Sequence, residues 1–216
     1  MSKEFFRGVA GKWDEIRKTM YTDEVRNKAI ESCKLEQGQR AVDVGAGTGF
    51  VTEALLERGV PTVAVDPSFP MLEQLRKKFT NSNLLNIKIG TGERIPLLAN
   101  RFDAALANMS LHHAENPDKM IIEMTRVLKP GGRMAITDLD AHKYEWLRDE
   151  HHDRWMGFDR KDVEKWLKEA GLTEVRVAAI AGEACSAKAP DGKEVKVGIF
   201  LATAQKPTTP SMRTLS

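Results

Sequence analysis

A glycine-rich segment directly after an apolar run is the part of the sequence most suited to hold a ligand. It reads Gly45, Ala46, Gly47, Thr48 and Gly49. Glycines at alternate positions let the backbone turn tightly and let a ligand approach it closely. A dinucleotide-binding loop needs a further glycine where this chain has Phe50, and a phosphate-binding loop needs Gly-Lys-Ser or Gly-Lys-Thr. The segment therefore predicts a ligand site, weakens the hydride-transfer interpretation and does not fit a phosphate-binding loop.

Asp66 stands at the end of the second predicted strand, 17 residues after Gly49. A carboxylate at this place can accept hydrogen bonds from both hydroxyls of an adenosyl ribose. The alternative is an aspartate that opens a turn ahead of Pro67, as Asp-Pro pairs often do. Its position relative to the glycine segment favours the ligand role.

Two adjacent histidines follow the fourth predicted strand. Because histidine titrates near neutral pH, His112 or His113 could serve as a general base or anchor a substrate. The alternative is that both start a helix and bond to the backbone. The sequence leaves these two interpretations open.

A second histidine-rich stretch, residues 139–158, separates the fifth predicted strand from the next helix. Within one helix, spacings of i, i+4, i+7 and i+11 would place on one face His142, Trp146, Asp149 and Asp153. We predict a helical lid on which His142 and Trp146 line the substrate; the alternative is an amphipathic helix whose tryptophans pack inward. A carboxylate–imidazole cluster here could bind a divalent metal. No second group of ligands is spaced to complete such a site, so no metal is expected.

Short apolar runs alternate with amphipathic stretches, which predicts a parallel sheet with helices on both faces. Helices are predicted from Pro117 to Leu128, ended by a Pro-Gly-Gly stop, and after a cap at Asp159. The last two strands have no helix between them and are joined by a turn at 190–193, so they should be antiparallel. The predicted strands are 40–45, 61–66, 84–89, 102–107, 133–138, 174–180 and 195–203.

The composition excludes several classes of protein. The 216 residues are 41% apolar and 30% charged, which indicates one ordinary globular domain. A net charge of +2 gives no indication of nucleic-acid or membrane binding. Cys33 and Cys185 are too few for a disulfide framework or a four-cysteine zinc site. There is no apolar run of ~18 residues and no signal-peptide core near the start, so a cytoplasmic location is expected.

Taken together, the motifs resemble the class I S-adenosylmethionine-dependent methyltransferases, specifically the ubiquinone/menaquinone-biosynthesis type (methyltransferase type 11). The class I resemblance rests on residues 43–49, Asp66 and the segment 128–132 ahead of the fifth strand, and the resemblance to the ubiquinone/menaquinone type rests on residues 108–113. It implies S-adenosylmethionine as cofactor and a Rossmann-like, doubly wound α/β fold. The seven-stranded sheet would be mostly parallel, with an antiparallel last strand and the order 3-2-1-4-5-7-6. Residues 139–158 also resemble the methyltransferase halves of proteins fused to arsenic-repressor-type regulators.

The same resemblance implies roles for individual residues. It places the glycine segment on the methionine and ribose side of the cofactor and Asp66 on the ribose hydroxyls. Where the family often has an aspartate for the adenine amine, this chain has Thr91 and Gly92. The cofactor-binding residues predicted are Trp13, Asp43, Gly45, Ala46, Gly47, Thr48, Gly49, Asp66, Pro67, Met71, Thr91, Gly92, Glu93, Asn108 and Met109. The catalytic residues predicted are His112, His113 and His142.

The sequence thus predicts one methyltransferase domain over residues 1–206, with helical lids at 1–36 and 139–158 and a disordered tail at 207–216. The first lid includes Phe5 and Phe6, which resemble a cofactor-covering aromatic segment of the family. The expected reaction transfers a methyl group from S-adenosylmethionine to carbon or oxygen of a small molecule. Alternatives are thiol or metalloid methylation, or cofactor binding without catalysis. The expected partner is a small-molecule acceptor, with neither nucleic acid nor membrane and with a homodimer left open.

Overall fold

The computed structural model describes residues 8–208 and contains one seven-stranded sheet. Its strands are β1 (Ala41–Val44), β2 (Thr62–Asp66), β3 (Leu85–Ile89), β4 (Phe102–Asn108), β5 (Leu128–Leu139), β6 (Thr173–Lys188) and β7 (Glu194–Gln205). They are ordered β3-β2-β1-β4-β5-β7-β6, and among these seven strands β7 runs antiparallel to the other six. The predicted α/β fold class and strand order are confirmed.

Helices cover both faces of the sheet. They are α1 (Trp13–Met20), α2 (Glu24–Ser32), α3 (Phe50–Glu57), α4 (Phe69–Lys78), α5 (Pro117–Val127), α6 (Glu145–His151) and α7 (Arg160–Glu169), with a 3-10 turn at Leu111–His113. Apolar residues of α2 and α3 pack with the face of the sheet that carries Ala41 and Ala104. Those of α5 and α7 pack on the opposite face, which carries Val42 and Ala105. Both faces are therefore buried, as expected for a parallel sheet.

The predicted boundaries of the helix before β5, of β5 and of β6 were wrong. The helix before β5 ends at Val127, and Leu128 already pairs with Phe102 as the first residue of β5. The Pro-Gly-Gly segment lies inside the strand, where the N–H of Gly131 donates to the carbonyl of Lys206. β6 runs on to Lys188, and its pairing with β7 has two register shifts, between Thr173 and Arg176 and between Ala179 and Ala184.

The prediction of one continuous helix across residues 139–158 was also wrong. Only α6 is helical, and His142 lies before it, with its N–H donating to the carbonyl of Met156. His152 has a φ of 55°, in the left-handed region, and ends the helix. Asp153 therefore turns away from the face that carries Asp149, which stays exposed and paired with Arg148.

The two ends of the chain are only partly described. Phe5 and Phe6 and the residues from 209 to 216 lie outside the described part, so the predicted aromatic cover and tail are not tested there. The part of the first lid that is described consists of α1 and α2. Between residues 8 and 208, no helix combines the length and the apolar character needed to span a membrane.

We expect Gly157→Ala to destabilise the fold strongly. Gly157 has a φ of +70°, and an added Cβ would lie 2.7 Å from the carbonyl oxygen of Leu139 and 2.6 Å from the carbonyl carbon of Asp140. Gly192 is the matched control, since its φ of +84° carries the same strain and nothing lies within 4 Å of its Cβ position. The strain alone costs ~1–2 kcal/mol. Because of the backbone overlap, Gly157→Ala should lower the free energy of unfolding in urea by about 1–3 kcal/mol more than Gly192→Ala does. Equal losses in the two variants would contradict this prediction.

Candidate active site

The glycine segment forms a tight turn between β1 and α3. Gly45 and Gly47 have φ values of +73° and +54°, in the region that favours glycine. A Cβ on Gly45 would lie 2.7 Å from the Oγ of Ser110, whereas a Cβ on Gly47 would meet nothing within 4 Å. Gly47 therefore leaves open space beside the turn, and Gly45 allows the turn to approach the segment after β4.

Asp43 fixes this turn from beneath. Its Oδ2 accepts hydrogen bonds from the N–H of Thr52 at 3.0 Å and from the Oγ1 of Thr52 at 2.6 Å, which ties β1 to α3. Burial raises the pKa of Asp43 to about 7, although the bonds from Thr52 act to lower it. Asp43 is 1% exposed, so the structure gives it a positioning role and no direct access to a ligand.

Asp66 lies at the carboxyl end of β2, with one oxygen bonded to the glycine segment and the other to the turn that follows β2. Oδ2 accepts from the N–H of Gly47 at 2.9 Å, and Oδ1 accepts from the N–H of Ser68 at 2.7 Å. Each carboxylate oxygen has two lone pairs, so both retain room for a further donor. Burial raises the pKa of Asp66 to about 6. The hydroxyl of Ser68 is buried beside it without a hydrogen-bond partner among the described residues.

These elements surround a cavity of about 570 Å³ at the carboxyl ends of β1, β2, β3 and β4. Most of the residues predicted to bind cofactor line it: Trp13, Gly45, Ala46, Gly47, Thr48, Asp66, Pro67, Met71, Thr91, Gly92, Glu93, Asn108 and Met109. The two that do not are Asp43, which is buried beneath the turn, and Gly49, which begins α3. One predicted catalytic histidine, His113, also lines the cavity.

Helix α1 lies over the glycine segment and is tied to it by one carboxylate. The Oδ1 of Asp14 accepts from the Oγ1 of Thr48 at 2.6 Å, and its Oδ2 is paired with Lys78 of α4. The Nζ of Lys78 also donates to the carbonyl of Thr48 at 3.0 Å. We call this set of three residues the latch. Burial acts to raise the pKa of Asp14, but the bonds from Lys78 and Thr48 hold it below its usual value.

Arg17 of α1 brings a buried positive charge to the cavity. It is 5% exposed, lines the cavity, and its guanidinium carbon lies 3.8 Å from the centre of the Phe50 ring. One terminal nitrogen is 3.5 Å from Asp23, while Nε is buried and donates to no described acceptor. A buried donor without an acceptor is costly, and a ligand carboxylate would supply one.

The end of β4 is held in an unusual conformation. The amide of Asn108 accepts from the Oγ1 of Thr137 at 2.7 Å and donates to the hydroxyl of Tyr21 at 3.3 Å. The next residue, Met109, has a φ of 49°, which costs a non-glycine residue of the order of 1–3 kcal/mol. Such strain occurs most often at ligand sites, and both Asn108 and Met109 line the cavity.

A much smaller inner chamber of about 30 Å³ adjoins the cavity. Four residues line both spaces and form their common wall: Trp13, Tyr21, Met109 and His113. The rest of the chamber is apolar side chains together with four polar ones, namely His112, His151, Asp153 and Cys185. The chamber is thus reached from the cavity only past the common wall or by movement of the elements around it.

The polar side chains of the inner chamber are strongly coupled. The Nδ1 of His112 lies 2.7 Å from the Oδ1 of Asp138, which is fully buried. Burial acts to lower the pKa of His112, but Asp138 and Asp153 raise it to about 9. Burial and the charge of His112 hold the pKa of His113 well below its usual value. The N–H groups of Arg154 and Trp155 both donate to the carbonyl of His112, which brings Asp153 to the histidines.

His142 lies apart from both spaces. It lines a shallow surface depression with Lys143, Tyr144 and Lys196, and its ring stacks on Tyr144 with centroids 5.7 Å apart. Its Nδ1 accepts from the N–H of Tyr144 at 3.2 Å. Because the predicted lid is not one helix, the geometric reason for placing His142 and Trp146 against a substrate is lost.

Residues 42–136 match a protein family described as a methyltransferase domain. This part of the chain is a methyltransferase domain. The match includes the glycine segment, Asp66, the two adjacent histidines and most of β5.

Curated relatives of this methyltransferase domain carry related names. An uncharacterized methyltransferase of Mycobacterium tuberculosis strain H37Rv is 40% identical over 123 residues, which are 56% of this chain and 49% of that protein. The chloroplastic 2-methyl-6-phytyl-1,4-hydroquinone methyltransferase 1 of Oryza sativa is 30% identical over 181 residues, which are 82% of this chain and 54% of that protein. The chain thus spans about half the length of the curated relatives it matches.

Solved structures of low sequence identity share the fold of the methyltransferase domain. The methyltransferase from a complex with the Haloferax volcanii activator Trm112 has a TM-score of 0.76 at 19% identity and covers 94% of this chain and 97% of its own. Phosphoethanolamine N-methyltransferase 2 of Haemonchus contortus, solved with S-adenosyl-L-methionine, has a TM-score of 0.68 at 18% identity and covers 84% of this chain and 52% of its own.

Sequence reasoning did not foresee the places of three charged residues around the cavity and the inner chamber. Arg17 lies on a helix far from the glycine segment in sequence, and no spacing rule connects the two. Asp138 ends the predicted strand 133–138 and is the last residue but one of β5, a favoured place for ligand contacts, but no individual role was predicted for it. Asp153 was assigned to a helix face, and its actual place depends on the left-handed backbone of His152.

Proposed function

We propose that this chain transfers a methyl group from S-adenosylmethionine to a small-molecule acceptor, with carbon or oxygen as the methylated atom. The observation that carries the proposal is the cavity where the glycine segment, buried Asp66 and helix α1 meet. S-adenosylmethionine has an adenosine end, an amino-acid end and a sulfonium between them. The residues present fit each of these parts.

The adenosine end would lie between Asp66 and the segment after β3. Both oxygens of Asp66 have a lone pair left for a ribose hydroxyl. Met71 and Gly92 line the cavity nearby, and a Cβ on Gly92 would lie 2.6 Å from the Sδ of Met120. The absence of a side chain at Gly92 therefore lets Met120 pack against this backbone, beside which we place the adenine ring.

The amino-acid end would lie between the glycine segment and α1. Arg17 offers a buried Nε donor for the carboxylate of the methionine moiety. Gly47 leaves open space beside its backbone. The fixed amide of Asn108 lies at the same end of β4 and would orient the ligand.

When bound, the cofactor supplies a methyl group on a positively charged sulfur, to which an electron-rich acceptor atom adds. The protein must hold that acceptor atom in line with the methyl group, within ~3–3.5 Å, and exclude water. Met109 and Tyr21 are placed to do this, since they stand in the wall between the cavity and the inner chamber. His113 stands in the same wall and His112 behind it, so we propose that both face the acceptor.

The inner chamber favours a partly apolar acceptor. The apolar side chains of Met20, Leu139 and Leu147 line it beside its four polar side chains. A chamber of about 30 Å³ holds about one water-sized group, so α1 or α6 must move to admit a ring. The hydroquinone named for the rice relative is of this class. Thiol or metalloid chemistry is disfavoured, because Cys33 packs against β1 and α3 away from Cys185.

Calorimetric titration with S-adenosylmethionine and S-adenosylhomocysteine tests the cofactor assignment. We expect both to bind in the micromolar range, and release of S-adenosylhomocysteine when a panel of phenolic, quinol and carboxylic acceptors is added. Binding without turnover on any acceptor would favour a cofactor-binding protein that lacks catalysis. If neither ligand binds, the proposal fails.

Cofactor affinity should fall in mild acid. The ionised form of Asp66 accepts both ribose hydroxyls, and its pKa of about 6 means that protonation competes with binding below that pH. The association constant should therefore be about tenfold lower at pH 5 than at pH 7. Asp43, which faces Asp66 and titrates near 7, does not contact the ligand. In Asp66→Asn the pH dependence between 5 and 7 should disappear; if it persists unchanged, Asp66 is not its source.

A further inference from the structure

Two imidazoles and a carboxylate converge in the inner chamber. The Oδ1 of Asp153 lies 3.5 Å from the Nε2 of His112 and 3.6 Å from the Nδ1 of His113. All three atoms are within 4.8 Å of one another. Two ligand atoms bonded to a tetrahedral Zn²⁺ at ~2.0–2.1 Å are about 3.3 Å apart. Two of the three spacings are therefore already near those of a coordination sphere.

Asp153 lacks the donors that a buried carboxylate normally has. Its side chain is 2% exposed, and Oδ1 makes no hydrogen bond with any residue between 8 and 208. Burying an ionised oxygen is costly unless a hydrogen-bond donor, a counter-charge or a metal ion offsets it. At 3.5 Å, the imidazole of His112 supplies a counter-charge when it is protonated but makes no hydrogen bond to Oδ1. Oδ1 faces the two histidine nitrogens, so the missing partner belongs between them.

His112 is oriented as metal-binding histidines usually are. Such a ring directs one nitrogen at the metal and donates from the other to a carboxylate, which fixes its tautomer and its direction. Here Nδ1 is bonded to Asp138, and Nε2 is directed at Asp153. Asp138 is itself held by the N–H groups of Leu111 and Leu139, at 2.9 and 2.8 Å. The carboxylate of Asp138 is therefore fixed in position as firmly as the ring of His112.

We propose that His112, His113 and Asp153 bind a divalent transition-metal ion, of which Zn²⁺ is the representative. Two imidazoles and one carboxylate suit Zn²⁺, Fe²⁺ or Co²⁺ better than Mg²⁺ or Ca²⁺, which prefer all-oxygen sites. His151 and Cys185 line the same chamber, and the buried Nδ1 of His151 has no described hydrogen-bond partner. This departs from the sequence-based expectation of no metal.

Three protein ligands leave a coordination position for a small molecule. That position would open into the inner chamber, next to the wall shared with the cofactor cavity. An oxygen anion of the acceptor would bind there and be presented to the methyl group, a consequence that rests on the proposed function. Binding of the metal itself does not depend on methyl transfer.

Co²⁺ added to the chelator-treated full chain tests the site directly. Four- or five-coordinate Co²⁺ has intense visible absorption that the hydrated ion lacks, so we expect these bands to grow up to one equivalent. Asp153→Asn keeps the shape of the side chain and should abolish the bands. The matched control is Asp149→Asn, the same substitution at a carboxylate of α6 that is exposed, paired with Arg148 and outside both the cavity and the inner chamber. It should leave Co²⁺ affinity within about twofold, the scale expected of a surface change.

Asp138→Asn provides a second test of the site. Loss of an outer-sphere partner typically lowers metal affinity by ~10–100-fold without abolishing binding, so this variant should bind Co²⁺ more weakly by that factor. Circular dichroism must show that each variant is folded. The proposal is overturned if the wild-type chain gives no such bands, or if Asp153→Asn gives the same bands as wild type. Titrating S-adenosylhomocysteine into the same samples tests the metal site and the proposed function separately. If the chain binds S-adenosylhomocysteine but gives no Co²⁺ bands, only the metal site is overturned. If it gives the bands but does not bind S-adenosylhomocysteine, only the proposed function is overturned.

Discussion

Replacing Asp66 by alanine is expected to weaken S-adenosylmethionine binding by about 10²–10⁴-fold. Each hydrogen bond to a charged group contributes ~1.5–3 kcal/mol, and the ribose would lose two of them. The variant also removes the acceptor for the N–H groups of Gly47 and Ser68, so the loop that faces the ligand loses its fixed shape. Isothermal calorimetry of both proteins with S-adenosylhomocysteine measures the loss.

Asp162→Ala is the matched control for this experiment. Asp162 is exposed in the first turn of α7, away from the cavity, and its removal should leave affinity unchanged. A thermal melt distinguishes lost binding from lost folding. An Asp66→Ala protein that is folded and binds as tightly as wild type would remove Asp66 from the site.

Arg17→Gln should produce the second large effect, and it should depend on which ligand is used. If Arg17 binds the carboxylate of the cofactor, its loss should weaken S-adenosylhomocysteine by ~1.5–3 kcal/mol, or roughly 10–150-fold. 5′-Methylthioadenosine carries the same nucleoside and sulfur without the amino acid, so its affinity should not change. The difference between the two ligands isolates the carboxylate from any general disturbance of the cavity.

Arg26→Gln is the control that the structure offers for Arg17. Both guanidinium groups lie over the ring of Phe50, at 3.8 Å for Arg17 and 4.7 Å for Arg26. Arg26, however, is bonded to the carbonyl of Phe50 and to Glu53 and does not line the cavity. Its substitution should affect both ligands equally and weakly. If Arg17→Gln lowers the affinity for both ligands alike, the carboxylate assignment is wrong.

The parts of the site that local sequence could predict are those built from one strand and the turn after it. The glycine segment and Asp66 follow buried strands, and parallel strands necessarily bring their carboxyl ends to one edge. Their convergence on one cavity therefore follows from the element pattern. The strand order was available from the resemblance to a known family, since no local rule specifies which strands become neighbours.

The parts that could not be predicted depend on backbone details between elements. Asp153 reaches the histidines only because His152 leaves the helix in a left-handed conformation, which is uncommon outside glycine and asparagine. Arg17 faces the cavity because α1 folds back over the glycine segment, a tertiary contact that periodicity cannot reveal. His142 shows the reverse error, since helical spacing was applied to a stretch that is only partly helical.

The latch formed by Asp14, Thr48 and Lys78 bears on how fast the protein can work. Helix α1 lies over the glycine segment, so opening of this partly exposed ion pair would free α1 to move and would widen the exit for a spent ligand. Product release, rather than methyl transfer, would then be the rate-limiting step of turnover. Added salt screens exposed charges, so it should shorten the residence time of S-adenosylhomocysteine, and stopped-flow displacement would record that as a faster off-rate.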